Sequence, residues 1–236
     1  MILIDKKLIF VHIPKAGGTS IEDFLIKYFG KKERSTYYFV DGVGKRLSNK
    51  NDGSFTLYPI MHYTLPWIEE ELKKIDIIVD DTWNIFSIVR NPYYKMISEL
   101  FFNERSPLIY HYHTIPEVSK HLYINQVLDD FLEKDTWNNY NSLHSLPQYA
   151  FFAGTKLQKV HICKFEDGLE NIMNTLGLET EGQFPHKLNH FAEHNVPRPN
   201  YKDVLTKHFV EVINEKYKLD FEKFGYEMLE PLDFPG

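Results

Sequence analysis

The sequence predicts an α/β fold: a single domain over residues 1–236, with a central, mainly parallel sheet flanked by helices. Three observations lead there. Strand-like runs beginning at Leu8, Phe86 and Lys159 each pass through a turn into a stretch of helical periodicity, the alternation of strand and helix from which parallel sheets are built. At 236 residues and 43% hydrophobic content, the chain can bury one substantial core. No low-complexity tract, internal repeat or linker divides it.

The first element is LIFVHIPKAGGTS, residues 8–20, an apolar strand that ends in Pro14 and Lys15 and is followed by Gly17, Gly18, Thr19 and Ser20. Glycines let a backbone turn tightly and aim successive N–H groups at one point. Thr19 and Ser20 add hydroxyl donors at the start of a helix, whose positive dipole end faces the same point. Such a loop suits an anion. The helix follows from Ile21, Phe24, Leu25, Tyr28 and Phe29 at helical spacing, with Gly30 as its stop. The order differs from G-x-x-x-x-G-K-[ST], because the lysine precedes the glycines. Taken alone, the turn also fits a bare connector.

Residues 41–56, rich in Gly, Asn, Asp, Ser and Lys, read as a surface loop. A short helix is expected over 66–75, starting with WIEEEL. Phe86–Val89 reads as a short apolar strand, and Pro92 suits the first turn of a helix that buries Tyr93, Met96, Ile97, Leu100 and Phe101. Arg90 then stands at the strand's C-terminal end, where open α/β sheets bind ligands and a guanidinium can hold a phosphate through two parallel hydrogen bonds. Ser98 lies about nine ångströms along that helix. A structural ion pair for Arg90 and an exposed helix position for Ser98 are the bland alternatives.

The segment SPLIYHYHTIP, in which Tyr110 and Tyr112 alternate with His111 and His113, reads as a loop suited either to stacking on sugar rings or to plain surface packing. A longer helix is expected over 116–132. KVHICKFED, residues 159–167, reads as a strand turning into a helix around 169–176 that Gly177 closes.

Composition sets limits on partners. A formal net charge of −6 argues against nucleic acid and against a strongly polyanionic polymer. No apolar stretch approaches the roughly twenty residues that span a bilayer, and Asp5, Lys6 and Lys7 ahead of a short strand do not resemble a signal peptide. Cys163 is the only cysteine, which excludes an intrachain disulfide and suits a reducing compartment. The expectation is a cytoplasmic protein without a membrane partner.

HIPKAGGTS resembles the 5′-phosphosulfate-binding loop of sulfotransferases that use 3′-phosphoadenosine 5′-phosphosulfate (PAPS), in the HIPKTGGTS form typical of the carbohydrate branch. FSIVRNPYYKMISEL, residues 86–100, is similar to that family's 3′-phosphate-binding element, a strand ending in Arg with Ser eight positions on. The trailing F-E after the third strand, a helix ending L-G, and Tyr217, Asp220, Phe221, Phe224, Gly225 and Tyr226 also resemble the family's pattern. The resemblance implies a P-loop-like domain that moves a sulfuryl group from PAPS, as co-substrate, to a hydroxyl acceptor, with a glycan or a small molecule as the expected class. Eukaryotic relatives are typically anchored in the Golgi, so the resemblance points to a bacterial-type or otherwise soluble member. It also implies that Lys15, Ala16, Gly17, Gly18, Thr19 and Ser20 hold the 5′-phosphosulfate and that Arg90 and Ser98 hold the 3′-phosphate. Lys15 would neutralise the leaving oxygen.

A base must take the acceptor's proton. His62, in YPIMHYTLPW, lies between the two motifs, where carbohydrate members often place a catalytic histidine; a core or capping role beside Tyr58, Tyr63 and Trp67 is its alternative. Glu22 is the rival, because another branch uses a glutamate on the helix after the loop. A solvated helix carboxylate near the N-terminal dipole end is the expectation for it. His186, His190 and His194 fall at i, i+4 and i+8, a spacing that zinc sites use. They stand instead in a segment bracketed by Pro185 and Pro197 that resembles the family's H-x-x-N loop, so no metal is expected. A P-loop phosphotransferase and a non-catalytic nucleotide-binding module remain as alternatives.

Overall fold

Strand β2 (Leu8–Val11) is buried at all four positions, as a strand covered on both faces must be. It belongs to a four-stranded sheet in the order β1 (Ile2–Leu3), β2, β3 (Asn84–Val89), β4 (Val160–Lys164). β1 runs antiparallel to β2, while β2, β3 and β4 run parallel, so the sheet is mainly parallel as expected. The structure is a computed structural model and describes residues 1–3, 6–29, 62–74, 76–102, 107–133, 142–155, 159–178 and 199–236. Gly30, the loop 41–56, Tyr58 and the stretch holding His186, His190 and His194 lie outside the described residues.

The helices, in chain order, are α1 (Gly18–Tyr28), α2 (Leu65–Lys73), α3 (Pro92–Leu100), α4 (Pro107–His111), α5 (Glu117–Glu133), α6 (Ser142–Ser145), α7 (Leu169–Thr175), α8 (Lys207–Lys216) and α9 (Lys218–Phe224). The chain forms two compact units, Met1–Val89 with Gln148–His186 and Arg90–Pro147 with Lys187–Gly236.

The first unit contains the sheet. Phe10 and Phe86 face each other in register and stack at 4.9 Å between centroids. Ile21, Phe24 and Leu25 of α1 and Leu65, Ile68 and Leu72 of α2 are buried as well, at the spacings of amphipathic helices. Ser87 is the one polar residue within the buried run of β3, and its hydroxyl donates to the carbonyl of Val11 at 2.6 Å. A buried hydroxyl needs such a partner. Here it also secures the last residue of β2, directly before the loop.

The second unit is helical. Tyr93, Met96, Ile97 and Leu100 of α3 pack with Val127 and Leu128 of α5, Phe209, Val210 and Ile213 of α8, and Phe221 of α9. Asn91 caps α3 by accepting the Tyr93 N–H at 3.1 Å, and Pro92 takes the first helical position, where its missing N–H costs nothing. SPLIYHYHTIP is not a plain loop: it contains α4, because Leu108 and Tyr112 are one turn apart and both enter the core, joined by a Tyr112 N–H to Leu108 carbonyl bond of 3.1 Å. Tyr112 packs against Phe101 at 5.4 Å and has the Lys120 ammonium 4.9 Å from its ring centre, while His111 and His113 are exposed. Tyr112 is therefore used by the core and withdrawn from the surface on which His111 and His113 stand.

Lys95 is fully buried in this unit. Its ammonium donates to the His144 carbonyl at 2.7 Å, and Glu99, one turn on, accepts from Nδ1 of the same histidine at 2.9 Å. A buried charge survives only with partners of this kind.

Candidate active site

Between β2 and α1 the chain turns through Lys15 and Gly17, whose φ angles are +63° and +82°. A left-handed lysine is uncommon and costs roughly 1–3 kcal/mol, a strain that clusters at functional loops. The N–H groups of Ser20 and Ile21 return to the Gly17 carbonyl, at 3.1 and 3.3 Å. By helix geometry the N–H groups of Gly18 and Thr19 have no intrahelical acceptor, and they stand at the positive end of an eleven-residue helix. Ala16 and Ser20 are buried; Lys15, Gly17 and Thr19 are partly exposed. A tight turn into a helix N-terminus thus stands at the residues that the sequence singles out.

Both glycines have a further steric reason. A Cβ on Gly17 would fall 2.8 Å from the Phe165 ring, just after β4. A Cβ on Gly18 would fall 2.2 to 2.3 Å from Cδ2 and Nε2 of His12. The loop therefore lies directly against the His12 imidazole, which the sequence reading had passed over as part of the strand. His12 extends the aromatic row from Phe86 through Phe10, its ring 5.7 Å from that of Phe10.

His62 reaches the same residue. Its Nδ1 lies 3.0 Å from the His12 carbonyl, and the two imidazoles meet edge to face at 4.6 Å. A carbonyl only accepts, so Nδ1 of His62 carries the hydrogen and the neutral ring has its lone pair on Nε2. That is the tautomer a base at Nε2 requires. Tyr63 follows, its ring 4.5 Å from that of Trp67 on α2, and Trp67 is 44% exposed. Burial, followed by the nearby Glu71 carboxylate, pushes the Tyr63 phenol up to about 12, so its hydroxyl stays protonated at neutral pH.

Glu22 corrects an expectation. It is not a solvated helix carboxylate but is buried, with Oε1 3.0 Å from Nδ1 of His12 and 3.7 Å from the N-terminal ammonium. The reason is helical spacing: Glu22 is four residues after Gly18, so both occupy the face of α1 that meets His12. Gly18 makes room for the ring, and the Glu22 carboxylate lies beside its Nδ1, at ion-pair distance but without hydrogen-bond geometry.

Arg90 and Ser98 belong to the second unit. Arg90 immediately follows β3 and is buried, with its guanidinium carbon 6.0 Å from the centre of the Tyr201 ring, a cation–π contact. Tyr201 in turn packs against Tyr94 at 5.6 Å. Ser98 is partly buried on α3, between the buried Ile97 and Glu99. Tyr201 escaped the sequence reading because nothing in its local pattern links it to Arg90.

Among the described residues, no group of three or more His, Cys, Asp or Glu is placed to hold a metal ion, and no helix is long and apolar enough to cross a membrane. Cys163 is free and half-buried on β4, its thiol pushed up by burial and then by Asp167. The family model described as "Sulfotransferase family" matches residues 1–227. No curated protein and no solved structure matched the chain significantly.

Proposed function

The chain belongs to the sulfotransferase family, and we propose that it moves the sulfuryl group of PAPS to a hydroxyl of a carbohydrate acceptor. The observation that carries this reading is the convergence on His12: the anion-binding turn lies against its ring, and His62 donates to its carbonyl, leaving Nε2 as the basic nitrogen. An anion site and a tautomerically defined base on one residue suit transfer of an anionic group to a hydroxyl.

In the proposed step the acceptor oxygen bonds to sulfur as the bond from sulfur to the 5′-phosphate oxygen breaks. That oxygen keeps the bonding pair, and the acceptor's proton passes to Nε2 of His62. Lys15 and the loop N–H groups offset the charge growing on the leaving oxygen; Ala16, Gly17, Gly18, Thr19 and Ser20 shape the turn around the 5′-phosphosulfate. Arg90 and Ser98 hold the 3′-phosphate. Positioning and charge stabilisation supply most of the rate.

The donor is tested with its product. Adenosine 3′,5′-bisphosphate is expected to raise the melting temperature, and PAPS to be turned over; stabilisation by ATP with magnesium instead would indicate a phosphotransferase, and binding without turnover an inert module. Arg90→Ala is expected to weaken adenosine 3′,5′-bisphosphate strongly while scarcely changing adenosine 5′-phosphate, since only the first carries the group assigned to the guanidinium. Titration calorimetry with both ligands decides this: equal weakening would make Arg90 structural.

A carbohydrate acceptor is supported by Tyr63 and Trp67, which offer a partly exposed aromatic surface one residue from the base and suit the apolar face of a sugar ring. Trp67→Ala is expected to raise the acceptor KM by about tenfold, the upper end of an aromatic contact, while bisphosphate affinity holds. An unchanged KM across a panel of glycan acceptors would remove Trp67 from that surface.

A further inference from the structure

We infer that Glu22 and His12 are positioning residues for the base: a buried carboxylate–imidazole pair that fixes the carbonyl to which His62 is anchored. The inference rests on the reading of His62 as the base. Three contacts on His12 carry it. Its Nδ1 is 3.0 Å from Glu22 Oε1, at ion-pair distance but without hydrogen-bond geometry, its Cδ2–Nε2 edge packs against Gly18 where no Cβ would fit, and its carbonyl accepts the Nδ1–H of His62 at 3.0 Å. All three side chains, Glu22, His12 and His62, are buried.

His12 stands just past the end of β2, where the ladder no longer fixes its peptide plane. The plane is set from both sides instead. Ser87 holds the Val11 carbonyl before it, and the ring, clamped between Glu22 and Gly18, fixes the residue itself. A carbonyl so oriented enforces one tautomer of His62, because only Nδ1–H satisfies it. Without the clamp, the carbonyl is free to rotate and His62 to exchange tautomers, and each molecule with hydrogen on Nε2 has lost its base. Glu22 thus acts on the chemistry through His12 without touching the reacting atoms, and this separates it from the role of a rival base.

Long-range ¹H–¹⁵N correlation of the imidazoles, in the full chain with adenosine 3′,5′-bisphosphate bound, reads the tautomer directly. In the parent protein, neutral His62 is expected as Nδ1–H. In Glu22→Ala the His62 signals are expected to move towards a mixture of both tautomers, with kcat lowered roughly 10- to 100-fold by the lost geometry and bisphosphate affinity within about threefold. If the parent shows Nε2–H, the base reading itself fails. If the parent shows Nδ1–H and Glu22→Ala retains it, the base reading stands and the positioning role is overturned. Should Glu22→Ala not fold, Glu22→Gln decides: its side chain still fills the space beside His12 but takes up no proton, so turnover is expected within about tenfold of the parent. Abolished turnover in a folded Glu22→Gln would make Glu22 the base and overturn the inference. His12→Asn, which keeps a donor towards Glu22, is expected to preserve more turnover than His12→Ala; equal loss counts against the clamp.

Discussion

Lys15→Ala is expected to lower kcat by about 10²-fold or more while leaving the affinity for adenosine 3′,5′-bisphosphate within a few-fold of the parent, on the scale of removing a donor to a developing oxyanion. The asymmetry follows from when the charge is needed. In the bound donor the bridging oxygen shares its electrons with sulfur; only as that bond breaks does it gain the charge that Lys15 is proposed to meet. An interaction that strengthens towards the transition state appears in kcat, whereas one present throughout appears equally in binding.

The loop's conformation supplies the control. Lys15 has a φ of +63°, so Lys15→Ala keeps the strain of a Cβ in the left-handed region while removing the charge. Lys15→Gly removes both, and it is expected to be more stable than Lys15→Ala by about 1 kcal/mol. Both variants are expected to be equally slow. Recovery of turnover in Lys15→Gly would show that loop geometry, and not the ammonium, is what Lys15 contributes. Single-turnover kinetics alongside thermal melts separates the two.

The elements legible in the sequence were those whose residues announce themselves locally. β2 and β3 are short, largely apolar runs, α1 and α3 follow the 3.6-residue period, and Pro92 marks a helix start by its own chemistry. The turn between β2 and α1 was legible for the same reason, since its glycines are neighbours in the chain. What was missed depends on contacts distant in sequence. Nothing in HIPK indicates that His12 would carry Glu22, Gly18 and His62 at once; the one available clue was that Gly18 and Glu22 are four residues apart on a helix opposite a histidine. Lys95 was equally hidden, because a lysine in a helix reads as a surface residue until a carbonyl such as that of His144 is found to receive it. Tyr112 was placed on a surface loop because its alternation with histidines drew the eye, while its i, i+4 relation to Leu108 decided the outcome.

His62→Ala is expected to lower kcat by roughly 10²- to 10⁴-fold, the usual contribution of a positioned general base, with bisphosphate affinity nearly unchanged. The pH profile makes the assignment specific. A base works only when unprotonated, so kcat/KM of the parent is expected to rise with pH across the range in which imidazoles titrate and then level off. His62→Ala is expected to be slow and flat over that range. Two neighbours have to be excluded as the source of the limb. Tyr63, with its phenol pushed up to about 12, stays protonated throughout and contributes nothing below that pH. His12 is the other imidazole, and it is addressed by His12→Asn, in which the rising limb is expected to persist at reduced height. Because the His12 carbonyl holds Nδ1 of His62, the proton lost along the limb is expected to be the one on Nε2, the atom that takes the acceptor's proton in the proposed step. If the limb survives in His62→Ala and disappears in Glu22→Gln, proton abstraction belongs to the carboxylate, and the imidazole at position 62 is an anchor for the loop.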